Sequence, residues 1–347
     1  MKGILKHRMQ PSAHRFELAP LLAVNDFHME VRRQNGRFFP ALAGVELQVY
    51  RGECVGIVGE SGCGKSLTLR GILALDDPRE VVHTAGSVWF DGERILAGEE
   101  RHLRGGRIGF IPQDPLSSLN PVATIGSQLV ESIRHHQRES RKRAKNYALS
   151  LLAKVELSPP TRFFGAYPHQ LSGGQRQRAL IAIALAGNPD LLLADEPTTA
   201  LDVTVQAQLV GLLHRLCNDH AMGLLFVSHD LALVSQLCDR IAVMYAGRIV
   251  ESGATKEILR APQHPYTQAL LAALPETAPT GRQLPTISGT APELGEWPEG
   301  CTFRTRCPRA QSECRSTTPA LTTASSSKHS VACHRPGTLS TNENSHV

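Results

Sequence analysis

No stretch of about 18 consecutive apolar residues occurs anywhere in the 347-residue chain, which excludes a helix that spans a bilayer. The opening residues, "MKGILKHRMQPSAHRF", lack the apolar core and small-residue cleavage site of a secretory signal, so a cytosolic chain is expected. There is no internal repeat, and each motif described below occurs once. Blocks of like charge are scarce. The formal net charge is +5, and the basic residues are scattered except in "RESRKRAK" at 138–145, which reads as a solvated helix face. Tight cysteine pairs of the C-x2-C to C-x4-C kind are also missing. Eight cysteines in a reducing compartment argue against a disulfide framework, leaving metal binding or packing. The 41% hydrophobic and 20% charged content is that of a globular chain able to bury a sizeable core.

Short segments rich in Val, Ile and Leu alternate with helical patterns: "CVGIVG", "RIGFIPQ", "LLLAD", "LLFVSHD" and "IAVMYAG". Continuous apolar runs of this length describe strands buried on both faces, hence an α/β fold with a largely parallel sheet. Between "QDPLSSLNP" and "LSGGQ" the pattern turns helical, with "IGSQLVESIRHH" and "NYALSLLAKVEL" as the candidate helices. After "HPYTQALLAALPE", residues 264–276, Pro, Thr, Gly and Ser dominate, which marks a boundary. The expected organisation is an N-terminal extension at 1–20, an α/β unit at 21–275 with a helical insertion at about 115–180, a loop-rich extension at 276–335, and a disordered tail at 336–347.

"GESGCGKS", residues 59–66, fits G-x-x-x-x-G-K-[ST] between a strand and a helix, the context this phosphate-binding loop requires. Residues Gly59, Glu60, Ser61, Gly62, Cys63 and Gly64 would curl backbone N–H groups around nucleotide phosphates. Lys65 would neutralise the β and γ charges and Ser66 would ligate Mg²⁺. "LLLADEP" is a buried strand ending in two acids. Asp195 is placed to hold Mg²⁺, and Glu196 to orient or deprotonate an attacking water. Gln113 follows the strand "RIGFIP" and His229 ends "LLFVSH", suited to the metal and water and to the γ-phosphate respectively. "LSGGQ", residues Leu171, Ser172, Gly173, Gly174 and Gln175, offers a hydroxyl and free N–H groups where a helix begins, which makes an anion site without a nucleophile, acid or metal ligand.

These motifs, in this order and with "ALD" at 200–202, resemble the ABC transporter ATPase family over nearly the whole chain. The resemblance implies a P-loop ABC ATPase domain with a mixed sheet core and helical subdomain, plus a small cysteine-containing extension. It also implies that two such domains meet head to tail, each "LSGGQ" closing on the γ-phosphate held by the other, with Asp202 at the seam. ATP and Mg²⁺ are the implied cofactors. Family members stack adenine on an aromatic residue before the first strand of the loop; the equivalent position falls at Val31, with Phe27, Phe38 and Phe39 as neighbouring alternatives.

Within the family, "QDPLSSLNP", "HPYTQALLAALPE" and "LPTISGTAPEL…GCTFRTRC" resemble the dipeptide and oligopeptide importers, a branch that also handles nickel, and "GKSLTLRGIL" with Leu67 resembles its D-type subunit. The resemblance implies an F-type ATPase partner, two membrane permeases, an extracytoplasmic solute-binding protein, and a peripheral place on the cytoplasmic face of a bacterial inner membrane, with no nucleic acid. The rival is a soluble ABC ATPase acting on nucleic acid or ribosomes. Cys301, Cys307, Cys314 and Cys333 read C-x5-C-x6-C-x18-C, a spacing open to an iron–sulfur cluster, zinc or unligated thiols. The resembled branch implies a [4Fe-4S] cluster in some members.

Overall fold

A computed structural model describes residues 19–33, 35–95, 102–199, 201–274, 286–323 and 329–337. The expected N-terminal extension lies outside these residues up to position 18, as do the 275–285 boundary region, Ala200 of "ALD", and the tail beyond 337.

Two long strands, β1 (Leu22–Arg32) and β2 (Phe38–Val49), form an antiparallel hairpin. β3 (Cys54–Val58) follows, fully buried, and leads through the glycine-rich loop into α1 (Lys65–Ile72). β4 (Val81–Phe90) and β5 (Glu93–Ile95) join the hairpin, giving a four-stranded antiparallel sheet of order β2-β1-β4-β5. The β4–β5 turn is Asp91-Gly92, both residues with positive φ, as a two-residue hairpin loop demands.

After β6 (Ile108–Ile111) the chain becomes helical: α2 (Pro115–Ser118), α3 (Ile125–Gln137), α4 (Arg141–Lys154), α5 (Pro160–Phe164) and α6 (Gly173–Ala184). In α3 the buried Ile125, Leu129 and Ile133 recur every fourth residue, and in α4 Ala144, Ala148, Leu151 and Leu152 do the same work, so each helix buries one stripe. Arg141, Lys142, Arg143 and Lys145 are exposed around Ala144, the solvated face expected of the basic run. Thr124 and Ser140 cap the starts of α3 and α4 by accepting the N–H of Ser127 and Arg143, satisfying donors the helix cannot pair.

The α/β alternation resumes with β7 (Leu191–Asp195), α7 (Val203–His220), β8 (Gly223–Ser228), α8 (Leu231–Leu237), β9 (Arg240–Tyr245), β10 (Arg248–Ala254), α9 (Thr255–Arg260) and α10 (Pro265–Ala272). The remainder is loop-rich, with α11 (Glu313–Ser316), β11 (Thr322–Thr323) and β12 (Ser330–Val331).

The second sheet has eight strands in the order β11-β12-β10-β9-β3-β8-β7-β6. From β9 to β6 the pairing is parallel; β10, β12 and β11 are antiparallel additions at one edge. Alternate residues of β7 serve opposite layers. Leu191 and Leu193 pack with Val55, Ile57 and the strands of the first sheet, whereas Leu192 and Ala194 pack with Phe226 and the helices. A strand with both faces covered has no position for a polar residue until it emerges at its end, which is where Asp195 stands. Among the described residues no helix is long and apolar enough to cross a membrane.

Candidate functional site

The phosphate-binding motif occupies the turn between β3 and α1, at the carboxyl ends of the parallel strands. Gly64 has φ 109°, open to glycine at little steric cost, and a Cβ there would sit 2.7 Å from a Leu42 methyl. At Gly59 a Cβ would come within 2.2 Å of the Met244 carbonyl oxygen, so the loop is pressed against β9. Lys65 is only 4% exposed. Its ammonium donates to the carbonyl oxygens of Gly59 and Glu60, both at 2.9 Å, and lies 3.8 Å from Glu196 Oε1.

Ser66 Oγ donates to Asp195 Oδ1 at 2.7 Å. Burial pushes the Asp195 carboxyl above its ordinary range, opposed by the Ser66 hydroxyl and reinforced by the adjacent Glu196 charge. A hydroxyl and a buried carboxylate side by side form an oxygen donor set that suits a hard divalent cation, whose charge would relieve the cost of burying the carboxylate. The residues present therefore fit Mg²⁺.

Glu196 has φ 43°, a left-handed conformation uncommon outside glycine and concentrated at functional sites. The turn points its carboxylate back over the phosphate loop, where four elements converge on it. Oε2 accepts from Thr199 Oγ1 at 2.9 Å, lies 3.1 Å from His229 Nδ1, and is 3.5 Å from Gln113 Nε2. Lys65 approaches the other oxygen. Sequence reasoning missed Thr199, although its position three residues after Glu196 in "EPTT" is the spacing at which a turn lets a side chain fold back.

These residues face a cleft of about 580 Å³ whose lining includes Ser61, Gly62, Gly64, Lys65, Ser66, Gln113, Glu196 and His229. Four other expected contacts do not line it, Gly59 among them, pressed against β9. Asp195 reaches the cleft through Ser66, the Cys63 thiol is buried and pushed up by that burial, and the Glu60 side chain turns away toward Arg306. The apolar end of the cleft is aliphatic, formed by Val31, Ala41, Val81 and Leu294. None of the aromatic alternatives lines it: Phe27 is 2% exposed and stacked on His83, Phe38 is exposed, and Phe39 lies under Arg33.

The "LSGGQ" segment is not part of this cleft. Ser172 caps α6 in a reciprocal box: its hydroxyl accepts the Gln175 N–H at 3.3 Å, and Gln175 Oε1 accepts the Ser172 N–H at 3.0 Å. Leu171 is buried as an anchor, whereas Ser172 and Gly173 are exposed. Asp202 caps α7 by accepting the Val205 N–H at 3.0 Å, and a Cβ on Gly174 would stand 2.8 Å from Val205. The two loops thus share one exposed surface, which Val203, 82% exposed, extends.

Cys301, Cys307, Cys314 and Cys333 are separated in the chain but line one small cavity together with His264, Phe303 and Arg309. All are free thiols. Burial, with the other thiols adding to it, pushes Cys301 up to about 11; Cys307 and Cys333 are raised, again chiefly by burial. Among the described residues no group of three or more His, Cys, Asp or Glu is arranged to hold a metal ion, so the expectation of a metal on these cysteines gains only their convergence on one cavity.

A buried lysine over a glycine-rich turn, an oxygen pair for a divalent cation, and a carboxylate held by a histidine and a glutamine can bind a nucleotide polyphosphate and direct water at its last phosphorus. Comparison with known proteins agrees. Residues 42–199 match the ABC transporter family, and residues 250–314 match the oligopeptide/dipeptide transporter C-terminal region. The chain is 43% identical over 320 residues to the probable D,D-dipeptide transport ATP-binding protein DdpD of Escherichia coli, covering 91% of this chain and 97% of that protein. It is 46% identical over 302 residues to the dipeptide transport ATP-binding protein DppD of Haemophilus influenzae, covering 86% and 90%. Among solved structures, a dimeric ATP-binding cassette in a post-hydrolysis state with ADP and Pi superposes with a TM-score of 0.60 at 30% identity, covering 67% of this chain and 98% of that one. The chain is therefore an ATPase that belongs to the ABC transporter family, in the group carrying the oligopeptide/dipeptide transporter C-terminal region.

Proposed function

We propose that this chain is the ATP-hydrolysing subunit of a bacterial importer of di- or oligopeptides, with in-line attack of water on the γ-phosphate. The observation that carries the chemistry is the convergence of Lys65, Gln113, Thr199 and His229 on the Glu196 carboxylate at the mouth of the cleft. Glu196 takes the proton of the attacking water, Gln113 positions that water, and His229 steadies the γ-phosphate once it is bound. Lys65 and those N–H groups of the 59–64 loop that are not paired within the protein, as Glu60 is with Tyr266, hold the phosphates. Ser66, Asp195 and Gln113 would hold Mg²⁺, which would supply charge neutralisation for the phosphates. Glu196→Gln keeps the size of the side chain and one acceptor oxygen for Thr199, Gln113 and His229 while removing its basicity, so ATP binding and subunit pairing should survive as turnover disappears. Normal hydrolysis by that variant refutes the assignment of the base.

The exposed "LSGGQ" loop is read as the lid of a second cassette's nucleotide, and the surface shared by Ser172, Gly173, Asp202 and Val203 supports this. The similar solved cassette is itself dimeric with ADP and Pi bound, which supports pairing of two cassettes. We assign the partner as an F-type ATPase subunit, both standing beneath two permeases that receive solute from an extracytoplasmic binding protein, so that the chain lies peripherally on the cytoplasmic face. Support comes from the C-terminal family match and from Leu116 and Val122, 57% and 82% exposed next to the Gln113 strand, an apolar surface suited to a permease helix. With nucleotide trapped, a cysteine engineered at 172 should crosslink to one engineered in the partner's phosphate loop, and cysteines at 61 and 172 of one chain should not crosslink to each other. Peptide is favoured over nickel by the relatives' names, and ATPase stimulation by receptor loaded with dipeptide but not with Ni²⁺ would decide it.

The domain limits follow the same reading, with the ATPase unit at 21–275, its helical part at about 115–180, and the extension at 276–335. The four cysteines would hold a [4Fe-4S] cluster, which supplies cross-links to a loop-rich segment with few apolar residues. Their common cavity supports it. Iron and acid-labile sulfide in stoichiometric amounts after anaerobic purification are expected; zinc or metal-free thiols would overturn it.

A further inference from the structure

Residues of the cysteine-bearing extension line the nucleotide cleft at one place and brace the back of its phosphate loop at another. Arg306, immediately before Cys307, is 4% exposed at its side chain and meets Glu60 of the phosphate loop with a two-pronged contact, Nη1 to Oε2 at 2.6 Å and Nη2 to Oε1 at 2.9 Å. Its Nε donates to the Ser288 carbonyl at 2.9 Å, so the guanidinium plane is fixed from both edges. Glu60 is fixed in turn at its backbone: its N–H donates to Tyr266 Oη at 2.9 Å, and its carbonyl accepts from Lys65 Nζ at 2.9 Å. A short chain of contacts therefore runs from Arg306 through Glu60 to the lysine that faces the phosphates. At the other end of the cleft, Leu294 stands with Val31, Ala41 and Val81. Its segment is tied to the β1–β2 hairpin by Arg33–Glu293 at 3.0 Å and by Gly295, where a Cβ would lie 2.5 Å from the Phe39 ring.

The guanidinium is buried and the carboxylate 28% exposed, so desolvation offsets much of the attraction and the pair is weak evidence for stability; what it fixes is geometry. Two parallel N–H···O contacts fix both the position and the orientation of a carboxylate. Placed on the second residue of the phosphate loop, whose own N–H is already held by Tyr266 Oη, that constraint sets how the rest of the loop presents its N–H groups and so acts on nucleotide affinity. The geometry points to the extension as a structural part of the nucleotide site: Arg306 is a positioning residue for the phosphate loop, acting through Glu60, and Leu294 is the apolar wall against which the base rests. Neither touches reacting atoms. The inference rests on the reading of this cleft as the ATP site.

The test uses the full-length chain and measures displacement of a fluorescent ATP analogue by MgATP and by magnesium tripolyphosphate, which has the charged tail without the base. Arg306→Gln and Glu60→Gln should each weaken both ligands about tenfold, the scale of one charge-assisted hydrogen bond. Because they act as a unit, the double variant should be no weaker than either single one, and Arg306→Lys should recover part of the loss. Leu294→Ala should weaken MgATP about fivefold, from lost apolar contact, and leave tripolyphosphate unchanged. In the importer, KM for ATP should rise for Arg306→Gln while kcat stays within about twofold, since the reacting atoms are untouched. Lys65→Ala serves as the control. If it loses binding while Arg306→Gln and Leu294→Ala keep native affinity, the extension is only an anchor and the proposal fails, whatever the melting temperatures do. Additive losses in the double variant also overturn it. Native nucleotide affinity in Lys65→Ala would instead remove the ATP-site reading underneath. Should Arg306→Gln fail to fold, Arg306→Lys and Leu294→Ala still decide the matter.

Discussion

His229 Nδ1 stands 3.1 Å from Glu196 Oε2, with the histidine half exposed on one strand end and the carboxylate largely enclosed on the next. The pair joins the ends of β8 and β7, which lie side by side in the parallel sheet. His229→Ala removes the contact and opens the mouth of the cleft. We expect kcat to fall about 10²-fold, the usual range for losing a group that supports proton transfer, with little change in KM. Steady-state ATPase assays on the assembled transporter would check this, and a KM effect alone would count against it.

Asp195 is the group whose removal should separate metal from nucleotide. Asp195→Asn keeps an acceptor for Ser66 but loses the charge that matches a divalent cation. ATP binding without Mg²⁺ should stay within about twofold, whereas the gain in affinity on adding Mg²⁺ should disappear, a difference read by titration calorimetry.

Gly64→Ala tests the shape of the loop. The residue sits at φ 109°, and the new methyl would meet Leu42 at 2.7 Å and the Ala41 carbonyl at 3.3 Å. Backbone strain of this kind costs about 1–3 kcal/mol. The variant should melt several degrees lower and bind nucleotide weakly, checked by thermal unfolding with and without ATP.

His264 supplies a pH dependence. It is wholly enclosed, its Nδ1 accepts the Tyr266 N–H at 3.0 Å, and burial, helped by the Arg309 charge, pushes its pKa down to about 3. The unfolded chain binds a proton at this residue below about 6.5, whereas the folded chain does not until about 3. Its contribution to stability is therefore complete above pH 6.5 and declines by about 1.4 kcal/mol per pH unit as acid is added through that window. Urea unfolding at pH 7 and pH 5 should show the native protein losing about 2 kcal/mol more than His264→Gln.

What could be read from the sequence follows from how locally each feature is encoded. The phosphate loop, the acids after β7 and the cap-forming "LSGGQ" are each set within a few residues, because backbone curl, strand end and helix start need only neighbours in the chain. The buried parallel strands announced themselves as unbroken apolar runs. The first sheet did not. β1 has register irregularities between Val24 and Glu30, which break the two-residue alternation that marks a half-buried strand. β11 and β12 are two residues each, too short for any period; β12 forms on the edge of β10 and β11 on the edge of β12.

By itself, then, the sequence determined the family, the glycine-rich loop motif between a strand and a helix, and the two adjacent acids at the end of a buried strand, since these depend on residue type and spacing. Only the tertiary structure decided that Ser66 meets Asp195 across 129 positions and that Arg306 meets Glu60 across 246. It also decided that an aliphatic wall built partly from Leu294 closes the cleft, and that four distant cysteines share one cavity. Such contacts depend on sheet order and on how the extension packs back onto the core, and no periodicity along a single chain records which distant residues that packing brings within reach of one another.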